Sequence, residues 1–387
     1  MNNNNYTSYE YVNKKPLITV KHILETCWHD YEINHEVEDY QKKEVVKSLN
    51  CYGDNNGYFV FYCKHCDKLV FQHYGCNSRL CSCCGKRYAD QWSDSLSKSM
   101  FPVPHRHIVF SIPSELWDFL RNKSFWKDYM NCARTCFYNY FPKMLKKMLR
   151  RTCNFEVGII CVFHPFGKDM KFHPHLHLLI TEGGFDENGK FHKINFFPAE
   201  GFRKCWRYVV MQKFQELGYP NWKATEIFEK YPHGFYVWVH KRGRIKHPKL
   251  IARYIGRYVR HPAIANRRIT YFNSMEVYFY YNIEGEIINV YMTVEQFISA
   301  LIQHIPPPNF KMVRYYLAYA RRRKLIYGDK LQSGIKQLSL YKFGLIKEVR
   351  CPKCHQTMIF IEYIHKPPPK ELPIQRELMD YNNSNFL

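Results

Sequence analysis

The sequence predicts an α+β fold preceded by a small zinc-binding domain. Three observations carry that prediction. Short apolar runs of strand character recur between residues 107 and 293, and one connection between them holds the Pro, Gly and Asp of a hairpin. Longer segments with helical spacing separate those runs. Two Cys-x-x-Cys pairs fall within residues 51–84, a segment holding seven of the chain's 15 cysteines.

Residues 1–15 read as a disordered tail, and residues 16–100 as a helical and zinc-binding domain. Within it, 17–49 has helical apolar spacing at Ile18, Val20, Ile23 and Leu24, then at Val45, Val46 and Leu49. The cysteine region follows, and 86–101 leads out of it as a helix. Residues 101–310 form the larger domain. HIVFSI at 107–112, VGIICVF at 157–163 and HLHLLIT at 175–181 are strands, as are 235–240, 270–281 and 286–293. PFGKDMKF joins the second and third strands as a hairpin, and IEGE joins the last two. Helices are expected over 114–150, 198–217, 248–261 and 294–304, the third bounded by Pro248 and Pro262. Residues 311–387 form a basic C-terminal region with ARRRK at 320–324 and a CPKC knuckle at 351–354.

Lys and Arg number 57 against 34 Asp and Glu, a formal charge of +23 that favours a polyanionic partner. Aromatic residues make up 17% of the chain, and rings interleaved with cations suit single-stranded nucleic acid. No run of 18 apolar residues exists, which excludes a membrane-spanning helix, and MNNNNYTSYE lacks the apolar core of a signal peptide. A cytoplasmic protein with reduced thiols is therefore expected, and clustered thiols then point to metal rather than disulfides.

Cys63 and Cys66, with Cys81 and Cys84 after fourteen intervening residues, are the expected structural zinc ligands. Four thiolates suit tetrahedral zinc, which stabilises a segment too small for its own core. Cys51, Cys76, Cys83, His65 and His73 could also serve as ligands. Cys351 and Cys354 make half a site with no partner pair nearby in the sequence.

His175 and His177 stand two apart on a strand, so they share a face. A hairpin centred near residues 169–170 sets His164 across from His175, and three imidazoles then converge on one divalent ion. His173 or Asp169 could replace His164 as the third ligand, while His105 and His107 lie on a strand whose place in the sheet is open. Neutral imidazoles favour transition metals over magnesium, so magnesium and manganese both stay open as the catalytic ion. In PKLIARYIGRYVRHP, Tyr254 and Tyr258 share a helical face, with Ile251, Ile255 and Val259 on one side and Arg253 and Arg257 on the other. A phosphate held by those arginines would meet both hydroxyls. A phenol with a pKa near 10 is a weak nucleophile, and a metal on the scissile phosphate offsets charge in the transition state. Arg260, Arg267 and Arg268 extend the set of expected DNA contacts.

These residues resemble the two-tyrosine HUH transposases of rolling-circle bacterial insertion sequences, which carry an N-terminal zinc-binding domain. The resemblance spans roughly residues 40–320 and rests on CKHC, CNSRLCSCCGKRYADQW, PHRHIVFSIP, HPFGKDMKFHPHLHLLITEGG, ARYIGRYVRHPAIANRRI and QHIPPPNFKMVRYY. It implies a central antiparallel sheet flanked by helices, with the histidine pair on a central strand and the tyrosine helix nearby. It further implies nicking at element ends, a 5′-phosphotyrosine link and transfer of a single strand to target DNA. His175 and His177 match the histidine pair, Tyr254 and Tyr258 the nucleophiles, and His164 the upstream third ligand. The chain departs from the pattern at His173, where Asn precedes the Pro, and at Cys83, where a non-cysteine is usual. A homodimer is compatible with this reading. Two further readings fit the same residues: a replication initiator or relaxase with the same chemistry, and a catalytically inactive zinc-dependent DNA-binding protein.

Overall fold

The computed structural model describes residues 18–51, 57–73, 75–194, 196–239, 256, 263–283, 285–320 and 349–364. In chain order the elements begin with α1 (Val20–Asn34), α2 (Asp39–Leu49), β1 (Tyr58–Cys63), β2 (Lys68–His73) and α3 (Ser82–Ser99). Then come β3 (His105–Ser111), α4 (Trp126–Leu149), β4 (Gly158–Phe166), β5 (Phe172–Thr181), β6 (Gly183–Phe185) and β7 (Phe191–Lys193). They continue with α5 (Ala199–Glu216), α6 (Asn221–Lys230), β8 (Val237–Val239), β9 (Ile269–Phe272), β10 (Glu276–Ile283) and β11 (Glu286–Thr293). The last are α7 (Val294–Gln303), β12 (Val313–Leu317) and β13 (Ile359–Ile364). No helix among the described residues is long and apolar enough to cross a membrane.

A five-stranded antiparallel sheet, ordered β12-β4-β5-β3-β8, forms the centre. Its two faces alternate along each strand. Ile108, Phe110, Ile159, Cys161, Phe163, Leu176, Leu178 and Ile180 enter the main core with Phe137 and Phe141 of α4 and Trp206 and Phe214 of α5. The opposite face sends Ile160, Val162 and Leu179 against Leu96 of α3, Phe101 and Tyr319. Burial on both faces is why β4 reads as the unbroken apolar run VGIICVF. The α+β class and the helix-flanked antiparallel sheet are as the sequence led us to expect.

Several boundaries differ, each for a local reason. The helix expected over 17–49 is two helices. His35 turns extended after α1, and a capping box between Glu38 and Gln41 restarts the chain as α2. Residues 114–125 wind as short 3-10 turns before α4 begins. The strand expected over 270–281 breaks after Phe272. There the Asn273 carboxamide oxygen accepts from the backbone N–H groups of Met275 (2.9 Å) and Glu276 (2.7 Å), an Asx turn.

Two strand pairings cross the expected domain limits. β12 lies beyond residue 310 yet pairs with β4. The C-terminal β13 pairs with β1, giving a second sheet, β13-β1-β2. Helices α1 and α2 join neither of these sheets. Their apolar faces pack with β9, β10 and α7 in a core of their own, where buried Gln41 donates to the Ile302 carbonyl (2.9 Å).

Candidate functional site

Hairpin β4–β5 builds the histidine group. His164 pairs with His175 in register, and Val162 with His177, so one imidazole of β4 faces two of β5. The strands loosen where they carry Pro165 and Pro174. β4 bulges between His164 and Phe166, and β3 stops pairing at Ser111–His175, so neither missing N–H interrupts the ladder. Donor atoms of His164, His175 and His177 all lie within 4.8 Å of one another. His164 Nδ1 stands 3.2 Å from His175 Nε2. Two nitrogens bound to one ion at 2.0–2.1 Å are roughly 2.9–3.4 Å apart, so this spacing fits shared coordination.

Neighbouring groups aim those lone pairs. His175 Nδ1 donates to the His173 carbonyl (2.7 Å), which leaves Nε2 unprotonated toward His164. His177 Nδ1 lies 2.9 Å from His107 Nε2; with the proton on His177 Nδ1, donated to His107, the His177 Nε2 lone pair is left free for the group. His107, left unplaced by sequence reasoning, thus lies against the group; the order β4-β5-β3 brings it there. His173 and Asp169 do different work. The His173 ring packs on Trp117 at 4.8 Å, and Asp169 accepts from the Lys171 N–H (3.1 Å) within the hairpin turn.

The site favours neutral imidazoles, the form a cation binds. Burial pushes His175 down to about 4 and His177 well below its ordinary value, the latter also facing His175, His107 and His164. Burial likewise lowers His105 to about 4; its Nε2 lies 2.7 Å from the Tyr319 hydroxyl. An unfolded histidine takes its proton near 6.5, well above these folded values. The unfolded chain thus binds more protons between 6.5 and about 4, and stability is intact above that window and lost as pH falls through it. Metal-free protein is expected to melt at progressively lower temperature across this range. His105→Gln should flatten the fall in a calorimetric pH series; an unchanged slope would remove His105 from the account.

Tyr254, Tyr258, Arg253, Arg257 and Arg260 lie outside the described residues. Between the two tyrosines, Gly256 is helical and buried. A Cβ there would stand 1.8 Å from Ser93 Oγ and 3.1 Å from the Ala89 carbonyl, both on α3. Helix α3 covers the sheet face that also bears the three histidines, packing on Ile160, Val162 and Leu179 through Leu96. Gly256→Ala is expected to destabilise the protein by about 1–3 kcal/mol through overpacking. Adding Ser93→Gly should return part of that loss in a denaturant titration, and strict additivity would deny the contact. Arg267 and Arg268 occupy the turn Asn266–Arg268, the first exposed and the second half-buried. Asn266 fastens this turn, accepting from the Val20 N–H (3.2 Å) and the Ser82 hydroxyl (3.1 Å).

The cysteines do not gather as the spacing suggested. Cys63 and Cys66 do not meet Cys81 and Cys84; Cys81 and Cys84 instead group with Cys51 and Cys76, and Cys63 and Cys66 with Cys351 and Cys354. Hairpin length is the reason. Cys63 and Cys66 sit at the β1–β2 tip, where Cys63 pairs with Lys68. Cys51 precedes the hairpin base and Cys76 follows it. Six extended residues hold tip and base about 17–20 Å apart, too far for one ion. At the base, Cys51 Sγ lies 3.5 Å from Cys81 Sγ and 3.6 Å from Cys84 Sγ. A zinc–thiolate tetrahedron with bonds of 2.3 Å has edges of roughly 3.8 Å, so this group fits zinc. The Ser78 N–H donates to Cys76 Sγ (3.3 Å), as expected for a ligand thiolate.

Comparison with known proteins accords with this layout. The family described as transposase zinc-binding domain matches residues 23–112, and the family described as putative transposase matches residues 158–325. The chain is 25% identical over 366 residues to the transposase for insertion sequence element IS801 of Pseudomonas savastanoi pv. phaseolicola, covering 86% of each. It is 24% identical over 378 residues to putative transposase y4qJ of Sinorhizobium fredii (strain NBRC 101917 / NGR234), covering 86% of this chain and 92% of that one. No solved structure matches the chain. The chain thus carries a transposase zinc-binding domain followed by a putative transposase domain, and along most of its length it is similar to both of these transposases.

Proposed function

We propose that this transposase nicks and transfers single-stranded DNA at the ends of an insertion sequence by tyrosine attack, as in rolling-circle transposition. The observation that carries the reading is the convergence of His164, His175 and His177 on the sheet face covered by α3, with Gly256 of the Tyr-x-x-x-Tyr segment against that same helix. The formal charge of +23 supports a nucleic-acid substrate.

His164, His175 and His177 would hold the catalytic magnesium or manganese. That ion would draw electron density from the scissile phosphate and offset transition-state charge. The phenolic oxygen of one tyrosine attacks phosphorus and gives its proton to solvent. The Tyr–O–P bond forms as the P–O3′ bond breaks, and the leaving oxygen takes a proton as a 3′-hydroxyl. A 3′-hydroxyl of target DNA later attacks the phosphotyrosine and releases the phenol. Each step exchanges one phosphate ester for another, so rejoining needs no ATP. Two tyrosines allow one strand end to be held while the second attacks. Arg253, Arg257, Arg260, Arg267 and Arg268 would grip the flanking phosphates.

The test is a covalent adduct. Full-length protein is incubated with labelled single-stranded oligonucleotides from the element ends and magnesium or manganese, then run on a denaturing gel. A retarded, protease-sensitive band is expected with end sequences and not with scrambled ones. Binding without any adduct would instead favour a DNA-binding protein that has lost its chemistry. Affinity should fall steeply with salt through counterion release, and a flat response would count against a phosphate-gripping surface.

A further inference from the structure

We infer that Cys63, Cys66, Cys351 and Cys354 form a second tetrathiolate zinc site that clasps the C-terminal strand β13 to the β1–β2 hairpin. The site is independent of the proposed strand chemistry. Half of it lies beyond both matched regions, which end at residues 112 and 325.

Topology brings the two halves together. β13 runs antiparallel to β1, with Ile359 opposite Tyr62 and Ile364 opposite Tyr58. The residues that lead into β13 therefore start beside the hairpin tip, where Cys63 and Cys66 sit. All four sulfurs lie within 4.8 Å of one another. Cys63 and Cys354, 291 positions apart, place their sulfurs 3.4 Å from each other. That separation is well beyond a sulfur–sulfur bond of about 2.05 Å and close to the roughly 3.8 Å edge of a zinc–thiolate tetrahedron.

The two cysteine pairs are also built alike. Each is a tight turn whose next residue takes a left-handed backbone, Asp67 at φ 50° and His355 at φ 58°. In the second turn the Lys353 N–H donates to Cys351 Sγ (3.4 Å) and the His355 N–H to the Cys351 carbonyl (2.9 Å). The first bond favours the thiolate, and the second closes the turn.

The surrounding sheet needs such a clasp. Among the described residues the hydrophobic cluster around the sulfurs has four buried members, Phe61, Cys63, Cys351 and Met358, and two of those four are the proposed ligands; on β1 only Tyr58 and Val60 add to this burial. A three-stranded sheet with so little apolar burial gains its stability from metal binding. Removal of the ion should release β13 from β1. The histidine-bearing sheet has its own core and should stay ordered.

The experiment uses full-length protein. Elemental analysis combined with zinc-edge X-ray absorption on the unmodified chain should find two sulfur-coordinated zinc ions per chain, with four sulfurs each at about 2.3 Å. A single sulfur-bound zinc would overturn the proposal without any variant having to fold. Zinc at the histidines would add nitrogen scatterers and leave the sulfur-bound count at two. Cys351→Ser with Cys354→Ser should then lower that count to one. Hydrogen exchange over residues 58–63 and 359–364 should become fast, with 158–181 unchanged. A count that stays at two in this variant, or slow exchange of β13 after its loss, would equally refute the clasp.

Discussion

Replacing both tyrosines, Tyr254→Phe with Tyr258→Phe, is expected to abolish the covalent protein–DNA adduct while leaving DNA affinity within a few-fold of wild type. Phenylalanine keeps the ring that packs or stacks and removes only the oxygen that would become bonded to phosphorus. The loss should be complete, because both phenols of the segment are then gone. Each single variant should retain an adduct or lose only the second transfer. The gel therefore also reports which tyrosine acts first. Adduct formation by the double variant would assign the nucleophile elsewhere and end the two-tyrosine reading.

The histidines supply the second large effect. His177→Ala is expected to reduce cleavage by about 10³-fold or more, equivalent to some 4 kcal/mol of transition-state stabilisation. DNA binding should change far less, since the arginines and net charge supply that affinity. The neighbouring His107→Ala should cost about 10–100-fold and should be offset in part by raised manganese, because His107 acts through the orientation of His177. A purely structural His107 would lower the melting temperature without changing the metal dependence. If His177→Ala unfolds the protein and abolishes binding together with cleavage, the imidazole is holding the sheet rather than an ion.

Much of the site was legible because its parts are local. His-x-His on a strand puts its side chains on one face through the period of a single element; the Tyr-x-x-x-Tyr reading falls on residues outside the described ones. The hairpin that sets His164 opposite His175 was readable from PFGKDMKF, since a short connection fixes register. Helix α5 falls almost where its spacing set it, at Ala199–Glu216. What escaped had little local signal or needed a distant partner. VRYYL is a five-residue strand whose place on β4 no pattern within it encodes. Helix α6, with only Ala224 and Ile227 fully buried, carries a weak apolar stripe. The break between β9 and β10 depended on one Asx turn inside an otherwise continuous strand pattern.

The cysteines mark the division most clearly. By itself the sequence determined that thiols come in pairs spaced to bite a metal, that a histidine pair shares a strand face, and that the chain's charge favours a polyanionic partner. Composition and spacing within an element decide those properties. Only the tertiary structure decided which cysteine pairs lie beside one another, and that His107 stands against His177. A β-hairpin separates cysteines that look adjacent in the chain, while strand pairing joins others 291 residues apart. Coordination responds to distances of a few ångströms, and contacts between remote segments set those distances.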